Sequence, residues 1–400
     1  MQLHVTSLPG GRLGPEAYRF VDWLAGAGQS YWQVLPLNPP DRHGSPYKAR
    51  SAFACSARLL ERPDARVSAG EEADFRERQA YWIADWERSA GRRGLRDQVR
   101  FEREWNALRG HAAESGVAII GDLPLYVAPQ SVDQRCHPAI FASGLVAGSP
   151  PDRFNASGQL WGNPVYDWPA LQRRGYRWWT ERLRRSAELF DLTRIDHFRG
   201  FVAYWAVAAG ARTARDGHWR RGPGAAPLLA ARRTLGRLRL IAEDLGMFTP
   251  AVEELRDRLG VPGMAVLQFV YDGGDAGGTD PLDDAARGRV LYTGTHDQTT
   301  LMDWWQGLDA DARAPIVRAQ RARDIRPGAG PWPLFSLAAS SSATLVIAQM
   351  QDVLGLGVSA RMNTPGRAAG NWRWRMERGV ASPALARRLR SITAEAQRLA

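Results

Sequence analysis

The stretch 192–200, LTRIDHFRG, places several charged side chains at the end of a predicted buried strand. Asp196 lies between Arg194 and Arg199, and nearby positive charge favours the ionised form of a carboxyl group. An ionised carboxylate is a candidate nucleophile or charge stabiliser, but it is a poor general acid. A structural ion-pair network would give the same pattern, so this stretch alone leaves both interpretations open.

Two further carboxylates, Glu243 and Asp297, also follow short apolar runs. If the chain forms a barrel of parallel strands, the carboxyl ends of the strands bring these three carboxylates to one face. Such a group suits hydrolysis or transfer of an acetal, which needs a nucleophile, a protonated carboxyl group and stabilisation of an oxocarbenium-like transition state. Partial burial and the neighbouring charge of Asp244 are expected to raise the pKa of Glu243, which suits an acid/base. Asp297, beside His296, suits binding of sugar hydroxyls.

Other kinds of chemistry are disfavoured by what the sequence contains. Arg194 and Arg199 oppose a cation beside Asp196, and there is no HExxH motif or cysteine cluster. No GxSxG motif is present, and no GxGxxG or phosphate-binding loop follows a strand. We therefore expect neither a catalytic metal nor a cofactor.

Eight apolar runs separated by helical or long connecting segments predict a (β/α)8 TIM barrel, an α/β fold; an open doubly wound sheet is the alternative. The predicted strands cover residues 3–6, 32–37, 117–123, 192–195, 238–242, 264–270, 290–293 and 344–349. The predicted helices include residues 15–26, 176–189, 249–259 and 383–400.

The chain is expected to form a single catalytic domain, 1–400, without a C-terminal β-sandwich domain. Insertions are expected after strands two and three: a reduced helical insertion at 59–115 and a loop insertion at 128–170 over the active-site mouth. The helical insertion should bury an apolar face that carries three tryptophans, Trp82, Trp86 and Trp105.

The net charge of +11 is compatible with binding to a polyanion, but Lys48 is the only lysine and the arginines interleave with acidic residues. A nucleic-acid footprint would cluster in a stripe or tail, so nucleic acid is not an expected partner.

The 16 tryptophans could fill the core or stack on sugar rings. Two cysteines and the lack of a long apolar segment favour a reducing, cytoplasmic location without a membrane span.

Three motifs together resemble a known family: RIDHFRGF (194–201), IAEDLG (241–246) and YTGTHD (292–297). The family is the 4-α-glucanotransferases called amylomaltases or disproportionating enzymes, glycoside hydrolase family 77, which is related to the α-amylases. The resemblance covers nearly the whole chain, and the order of the fragments makes it specific. Further similar fragments are HVTSLPG (4–10), YWQVLPL (31–37), SPY (45–47), GDLPLYV (121–127), GQLWGNP (158–164) and NWR (371–373).

The resemblance implies a retaining double-displacement transfer of an α-1,4-glucan segment to the 4-hydroxyl of an acceptor glucan or glucose. It implies that Asp196 is the nucleophile, Glu243 the general acid/base and Asp297 the transition-state stabiliser. It also implies a set of sugar-contacting residues: Tyr47, Arg194 and His296 around the donor sugar, with Gln159, Trp161 and Asn363 lining the cleft.

The expected substrates are maltooligosaccharides and glucans derived from glycogen or starch, with glucose as an acceptor. Three alternatives remain at this point: an α-glucan hydrolase of the same architecture, a non-catalytic glucan-binding protein and a basic polyanion-binding protein. Intact carboxylates disfavour the second, and dispersed arginines disfavour the third.

The sequence departs from the family pattern at a few places near the expected cleft. Arg153 stands where an aromatic residue is usual, which is expected to weaken acceptor stacking. Arg367 replaces a usual Thr, and Gln298-Thr299 replaces the common Asn-Asp pair. The stretch 273–284 lacks the usual Pro-His-Asn pattern. Activity is expected, because the three catalytic carboxylates are intact.

Overall fold

The computed structural model describes residues 1–151, 155–246, 249–272, 280–328, 330–367 and 369–399. Its α-helices are α1 Pro15–Gly26, α2 Ala69–Arg78, α3 Ile83–Glu114, α4 Val132–Cys136, α5 Trp168–Arg173, α6 Arg177–Leu189, α7 Ala226–Leu235, α8 Pro250–Leu259, α9 Leu267–Tyr271, α10 Leu282–Ala286, α11 Leu301–Gly307, α12 Ala310–Arg321, α13 Pro331–Ala339, α14 Met350–Val353 and α15 Pro383–Glu395. Its strands are β1 Tyr31–Gln33, β2 Ala118–Leu123, β3 Phe141–Ser149, β4 Gln159–Tyr166, β5 Leu192–Ile195, β6 Ala203–Ala208, β7 His218–Arg221, β8 Leu240–Ala242, β9 Met264–Val266, β10 Val290–Tyr292 and β11 Leu345–Ile347.

The described chain separates into two compact units. The first comprises Met1–Val34, Leu108–Ile120 and Pro262–Ala400, and the second comprises Leu35–Ala107 and Gly121–Val261. The predicted single domain, 1–400, stays a prediction. None of the helices in the described ranges is both long and apolar enough to cross a membrane.

The first unit is built on short parallel strands. β1 pairs in parallel with the start of β2, and β10 pairs in parallel with both β9 and β11. Gln2 forms parallel bridges to Gln33 and to Gln349, so this one residue links the β1 pair to the β11 side. The hydroxyl of Tyr292 donates a 2.8 Å hydrogen bond to the side chain of Gln33 across the buried interior. These parallel strands and their connecting helices confirm the predicted α/β class.

The predicted strand at 3–6 is wrong, because the parallel bridges are formed by Gln2, just before this range. The backbone N–H of Ser7 donates to the carbonyl of His4, and that of Leu8 donates to the carbonyl of Val5. These local bonds form a 3-10 turn at Val5–Ser7, which satisfies backbone groups that a longer strand would have paired with a neighbour. The predicted strand at 264–270 is also shorter, because the run turns into α9 at Leu267. Short apolar runs do not distinguish a strand from a buried helix.

In the second unit, the ends of three neighbouring strands, β2, β5 and β8, lie side by side. β5 pairs with β8 from Thr193 opposite Leu240 to Ile195 opposite Ala242. The ladder continues past the strand ends, since the N–H of Asp196 donates to Leu123 and that of Glu243 donates to Ile195. The side chains that follow these strands therefore emerge side by side.

The segment 128–170, predicted as a loop insertion, contains α4, β3 and β4. β3 pairs antiparallel with β4 and β6, and β6 pairs antiparallel with β7, in the order β4-β3-β6-β7. These strands were not predicted because β3 and β4 contain glycine, proline or asparagine, which are depleted in strands. Its placement over the active-site mouth stays a prediction.

The helical character predicted for 59–115 is confirmed by α2 and α3. Trp82, Trp86 and Trp105 are all buried. The indole of Trp105 donates to the carbonyl of Leu189 and packs edge-on against Phe190, with ring centroids 6.0 Å apart. The Phe190 ring also contacts Gly121 in β2.

Gly121 lies in β2 immediately before Asp122, and a methyl group built on it would overlap the ring of Phe190. We predict that Gly121→Ala lowers the free energy of unfolding by about 2 kcal/mol, because the extra carbon overpacks a filled core. Urea unfolding measures the change. Gly110→Ala is the control, because this exposed position in α3 has open space around it. Here alanine should raise stability by up to about 1 kcal/mol. Equal stability of Gly121→Ala and the wild type would contradict the packing argument.

Candidate active site

Arg194 in β5 is the centre of a buried charge cluster. Its Nη1 donates to both carboxylate oxygens of Asp122, at 2.8 and 2.9 Å. Its Nη2 lies 3.0 Å from Oδ1 of Asp196. The arginine is only 3% exposed, whereas the Asp196 side chain remains 28% exposed. A guanidinium thus fixes a fully buried carboxylate on one side and a partly accessible one on the other.

Asp122 also accepts a 2.6 Å hydrogen bond from the hydroxyl of Tyr47. Burial and the Asp122 charge together hold the pKa of Tyr47 well above its usual range, so Tyr47 stays a hydrogen-bond donor. Asp122 therefore connects Tyr47 to Arg194, which in turn contacts Asp196. Asp122 is absent from the predicted site residues, although its position at the end of the buried run VAIIGDL was a usable signal.

The Glu243 carboxyl group, just beyond β8, accepts two backbone hydrogen bonds. The N–H of His197 lies 2.7 Å from Oε2, and the N–H of Leu245 lies 2.9 Å from Oε1. Burial raises the pKa of Glu243 to about 7, opposed by Arg194 and the two N–H groups and reinforced by the charge of Asp196. A buried carboxyl group with such a pKa can donate and accept a proton near neutral pH.

Two details of the predicted electrostatics are wrong. Asp244 does not supply the like charge beside Glu243, because its buried carboxylate pairs with Arg256 at 3.0 Å; Asp196 supplies it. Arg199 is not part of the ion pair at Asp196, because its guanidinium lies over the ring of Trp219, 4.1 Å from the centroid. The left-handed backbone of the intervening His197 turns the chain between the two residues.

Two of the predicted cleft residues, Gln159 and Trp161, lie two residues apart on β4. The Trp161 indole N–H donates a 3.2 Å hydrogen bond to Oε1 of Gln159. The Trp161 ring is half-buried and packs edge-to-face on the imidazole of His197, with centroids 4.9 Å apart. The antiparallel sheet therefore contributes to the packing around His197, the residue after Asp196.

A separate cluster in the first unit contains the remaining predicted residues, His296, Asp297 and Asn363. The Asn363 amide donates a 2.5 Å hydrogen bond to Oδ1 of Asp297, and its backbone N–H donates to the carbonyl of His296. His296 is buried, with Nε2 3.5 Å from Oδ2 of Asp297, whose side chain stays 37% exposed. A fixed, accessible carboxylate beside a buried imidazole is suited to polar recognition of hydroxyl groups.

Gln298, one of the departures from the family pattern, closes the turn that carries His296 and Asp297. Its Oε1 accepts from the backbone N–H and the hydroxyl of Thr295, at 2.9 and 2.6 Å. Arg367, another departure, is exposed in a turn where its N–H donates to Thr364. Arg153 and the larger part of 273–284 lie outside the described residues.

Within the ranges that the structure describes, no group of three or more His, Cys, Asp or Glu side chains could hold a metal ion. The cluster of the second unit instead balances its carboxylates with Arg194 and with backbone N–H groups.

Known proteins resemble this chain along nearly its whole length. The sequence model of glycoside hydrolase family 77, described as 4-alpha-glucanotransferase, matches residues 3–93 and 95–381. A 4-alpha-glucanotransferase of Thermus thermophilus is 38% identical, with 99% of this chain and 98% of the relative covered. A chloroplastic/amyloplastic 4-alpha-glucanotransferase of Arabidopsis thaliana is 36% identical, covering 94% of this chain and 80% of the relative.

The solved structure of an amylomaltase from Streptococcus agalactiae, in complex with acarbose, is similar to this chain with a TM-score of 0.91 and 27% identity. The superposition covers 100% of this chain and 99% of that protein. This likeness confirms the predicted α/β, TIM-barrel-like fold.

Asp122 is the buried partner that holds Arg194, so we predict that Asp122→Asn lowers the free energy of unfolding by about 3–5 kcal/mol. Removing one member of a buried ion pair leaves the other charge without full compensation. Tyr47→Phe, which removes one hydrogen bond from the same carboxylate, should cost only about 1 kcal/mol.

Denaturant unfolding measures both changes, with Asp284→Asn as the control. Asp284 forms a highly exposed pair with Arg287, and such pairs contribute less than about 1 kcal/mol. A loss at Asp122 no larger than the loss at Asp284 would show that the buried pair does not hold the cluster together.

Proposed function

The chain belongs to glycoside hydrolase family 77, the 4-alpha-glucanotransferases, and on that premise we propose that Asp196 and Glu243 perform its transfer reaction as nucleophile and acid/base. The activity is transfer of α-1,4-glucan segments, with substrates such as maltooligosaccharides and glucose. The α-glucan hydrolase and the non-catalytic glucan-binding protein are not favoured, since the curated relatives are 4-alpha-glucanotransferases. We further propose glucans from glycogen or starch as donors, and a cytoplasmic location stays a prediction.

One observation carries this assignment: Arg194 holds Asp196 at 3.0 Å while burial raises the pKa of Glu243 to about 7. The two carboxyl groups are both partly exposed but differ in environment: Asp196 is ion-paired with a guanidinium, whereas desolvation has the largest effect at Glu243. Pairs of carboxyl groups that differ in this way divide the roles of nucleophile and acid/base.

In the first half of the reaction, the carboxyl group of Glu243 gives its proton to the glycosidic oxygen that leaves. A carboxylate oxygen of Asp196 attacks C1 of the donor sugar, the bond from C1 to that oxygen breaks, and the released chain carries a new 4-hydroxyl group. In the second half, the ionised Glu243 accepts the proton of an acceptor 4-hydroxyl. The acceptor oxygen attacks C1 and frees Asp196, which restores both groups.

The charge of Asp196 links these two halves. Its negative charge raises the pKa of Glu243 in the free enzyme. That charge disappears when Asp196 becomes an ester in the glycosyl-enzyme. The pKa of Glu243 then falls, because Arg194 and the two backbone N–H groups still favour its ionised form. Glu243 thus acts as an acid when Asp196 is charged and as a base when Asp196 is glycosylated.

We propose that the remaining predicted residues bind sugar hydroxyls and ring faces. Asp297, oriented by Asn363 and His296, is suited to stabilise the transition state through sugar hydroxyls. Trp161, with Gln159 bonded to its indole, offers an aromatic surface for a sugar ring. Tyr47 and Arg194 complete the proposed binding set around the donor sugar.

The nucleophile is tested with a fluorinated maltosyl donor that slows release of the glycosyl-enzyme. The expected result is a mass increase on the peptide that contains Asp196, and no increase in Asp196→Asn, because an amide is a poor nucleophile. Glu243→Gln is the matched control: it should still be labelled when the leaving group is fluoride, which needs no protonation. Label on Glu243 would reverse the two roles.

The acid/base is tested through the pH dependence of kcat/KM for maltotriose disproportionation. Because Glu243 must be protonated in the free enzyme, activity should fall about tenfold per pH unit above a basic limb near pH 7. The limb belongs strictly to the coupled pair of carboxyl groups. With a glycosyl fluoride donor, Glu243→Gln should lose this limb for the glycosylation step. A basic limb that persists in Glu243→Gln would assign the proton transfer to another group.

EDTA tests whether the reaction needs a metal ion. A loss of activity in EDTA that a divalent ion restores would contradict a mechanism without a metal.

A further inference from the structure

His197, the residue after the proposed nucleophile, has a left-handed backbone with φ 53° and ψ 44°. This conformation is disfavoured for residues with a β-carbon, so the surrounding structure must maintain it. It directs the N–H of His197 to Oε2 of Glu243 at 2.7 Å, and the N–H of Phe198 to the Glu243 carbonyl at 2.9 Å. The turn after Asp196 therefore aims two successive backbone donors at the residue proposed as acid/base.

The imidazole of His197 is held by aromatic packing. It meets the Trp161 ring edge-to-face, with centroids 4.9 Å apart and planes at 88°, and the Tyr126 ring lies 5.9 Å away. Its Nε2 is buried and has no hydrogen-bond partner among the residues that the structure describes. Packing against the Trp161 and Tyr126 rings therefore orients the imidazole, and Trp161 makes the closer contact.

The imidazole is also unsuited to carry the proton or a charge. Burial lowers the pKa of His197 to about 4, opposed by Asp196 and reinforced by Arg199, so the ring is neutral at neutral pH. The groups that act on Glu243 are Arg194, Asp196 and the N–H groups of His197 and Leu245. Among these groups, the N–H of His197 belongs to the residue that packs on Trp161, so it connects the aromatic contact to Glu243.

We propose that His197 is a positioning residue, whose ring, packed on Trp161, keeps its backbone N–H on the carboxyl group of Glu243. The edge-to-face contact with Trp161 immobilises the His197 ring and thereby maintains the left-handed backbone at His197. If the ring could move, this backbone would relax and the N–H of His197 would no longer reach Oε2 of Glu243. Trp161 is also proposed to contact the glucan. The same side chain would therefore bind the substrate and, through His197, position the acid/base Glu243. This inference rests on the proposed role of Glu243.

The decisive comparison is His197→Ala against His197→Phe. Both substitutes have a β-carbon and therefore meet the same backbone strain, but only phenylalanine retains a ring to pack on Trp161. The hydrogen bond favours ionised Glu243, so its loss raises the pKa and moves the basic limb to higher pH. We expect the basic limb of kcat/KM in His197→Ala to move up by roughly one pH unit. The limb of His197→Phe should stay at the wild-type position.

Coupling to Trp161 provides a second measurement. Trp161→Ala should move the basic limb in the same direction, although Trp161 has no hydrogen bond to Glu243 among the described contacts. The double variant with His197→Ala should show no further movement, because the two residues act through one contact. Additive shifts would mean that Trp161 and His197 influence Glu243 independently, which overturns the inference.

A limb that stays in place in His197→Ala, or that moves equally in the alanine and phenylalanine variants, also overturns the inference. Thermal unfolding at pH 6 shows whether each variant is folded, and if His197→Ala is not, the limb of Trp161→Ala decides. Glu243→Gln with the fluoride donor separates the two hypotheses. A basic limb that persists there refutes the acid/base assignment, whereas its loss together with an unmoved limb in His197→Ala refutes only the positioning role.

Discussion

The buried guanidinium of Arg194 is the interaction on which the site of the second unit depends. A charge taken out of water is costly unless its partners are close and correctly oriented. The planar guanidinium, with its fixed fork of donors, meets Asp122 with Nη1 and Asp196 with Nη2. This geometry requires the ends of β2, β5 and β8, which are neighbours in one sheet, to lie close together. The pairing of these strands therefore also determines the position of Asp196.

Glu243 experiences opposing influences in the same cluster. Arg194 and two backbone N–H groups favour its ionised form, whereas burial and the charge of Asp196 favour the protonated form. Burial prevails, and the rise from 4.5 to about 7 corresponds to about 3 kcal/mol between the two protonation states. Had the two N–H groups been absent, the proton would be held more tightly and released less readily. Their presence keeps the group near the pH at which one carboxyl can serve both as acid and as base.

The parts of this arrangement that could be predicted are those encoded by neighbouring residues. Buried runs that end in Asp196, Glu243 and Asp297 were visible, because an apolar strand followed by a carboxylate is a local pattern. The pairing of Arg194 with Asp122 spans 72 residues, so only the folded register could reveal it. Conversely, closeness in sequence placed Arg199 beside Asp196, and the left-handed turn at His197 directs Arg199 to Trp219 instead.

Glycine in the antiparallel sheet disfavours a strand prediction from the sequence, yet it allows strands β3 and β4 to approach each other closely. A side chain at Gly148 in β3 would come within 2.6 Å of the carbonyl of Gln159 in β4, so only glycine allows the two strands to approach this closely. Glycine in a strand is normally read as a turn or a bulge, and it frequently marks a close approach of another backbone. The close pairing fixes the start of β4, where Gln159 and Trp161 lie, and Trp161 in turn meets the ring of His197. The parallel strands supply the charged groups, and the antiparallel sheet supplies Trp161, whose ring packs on His197 in the turn after Asp196.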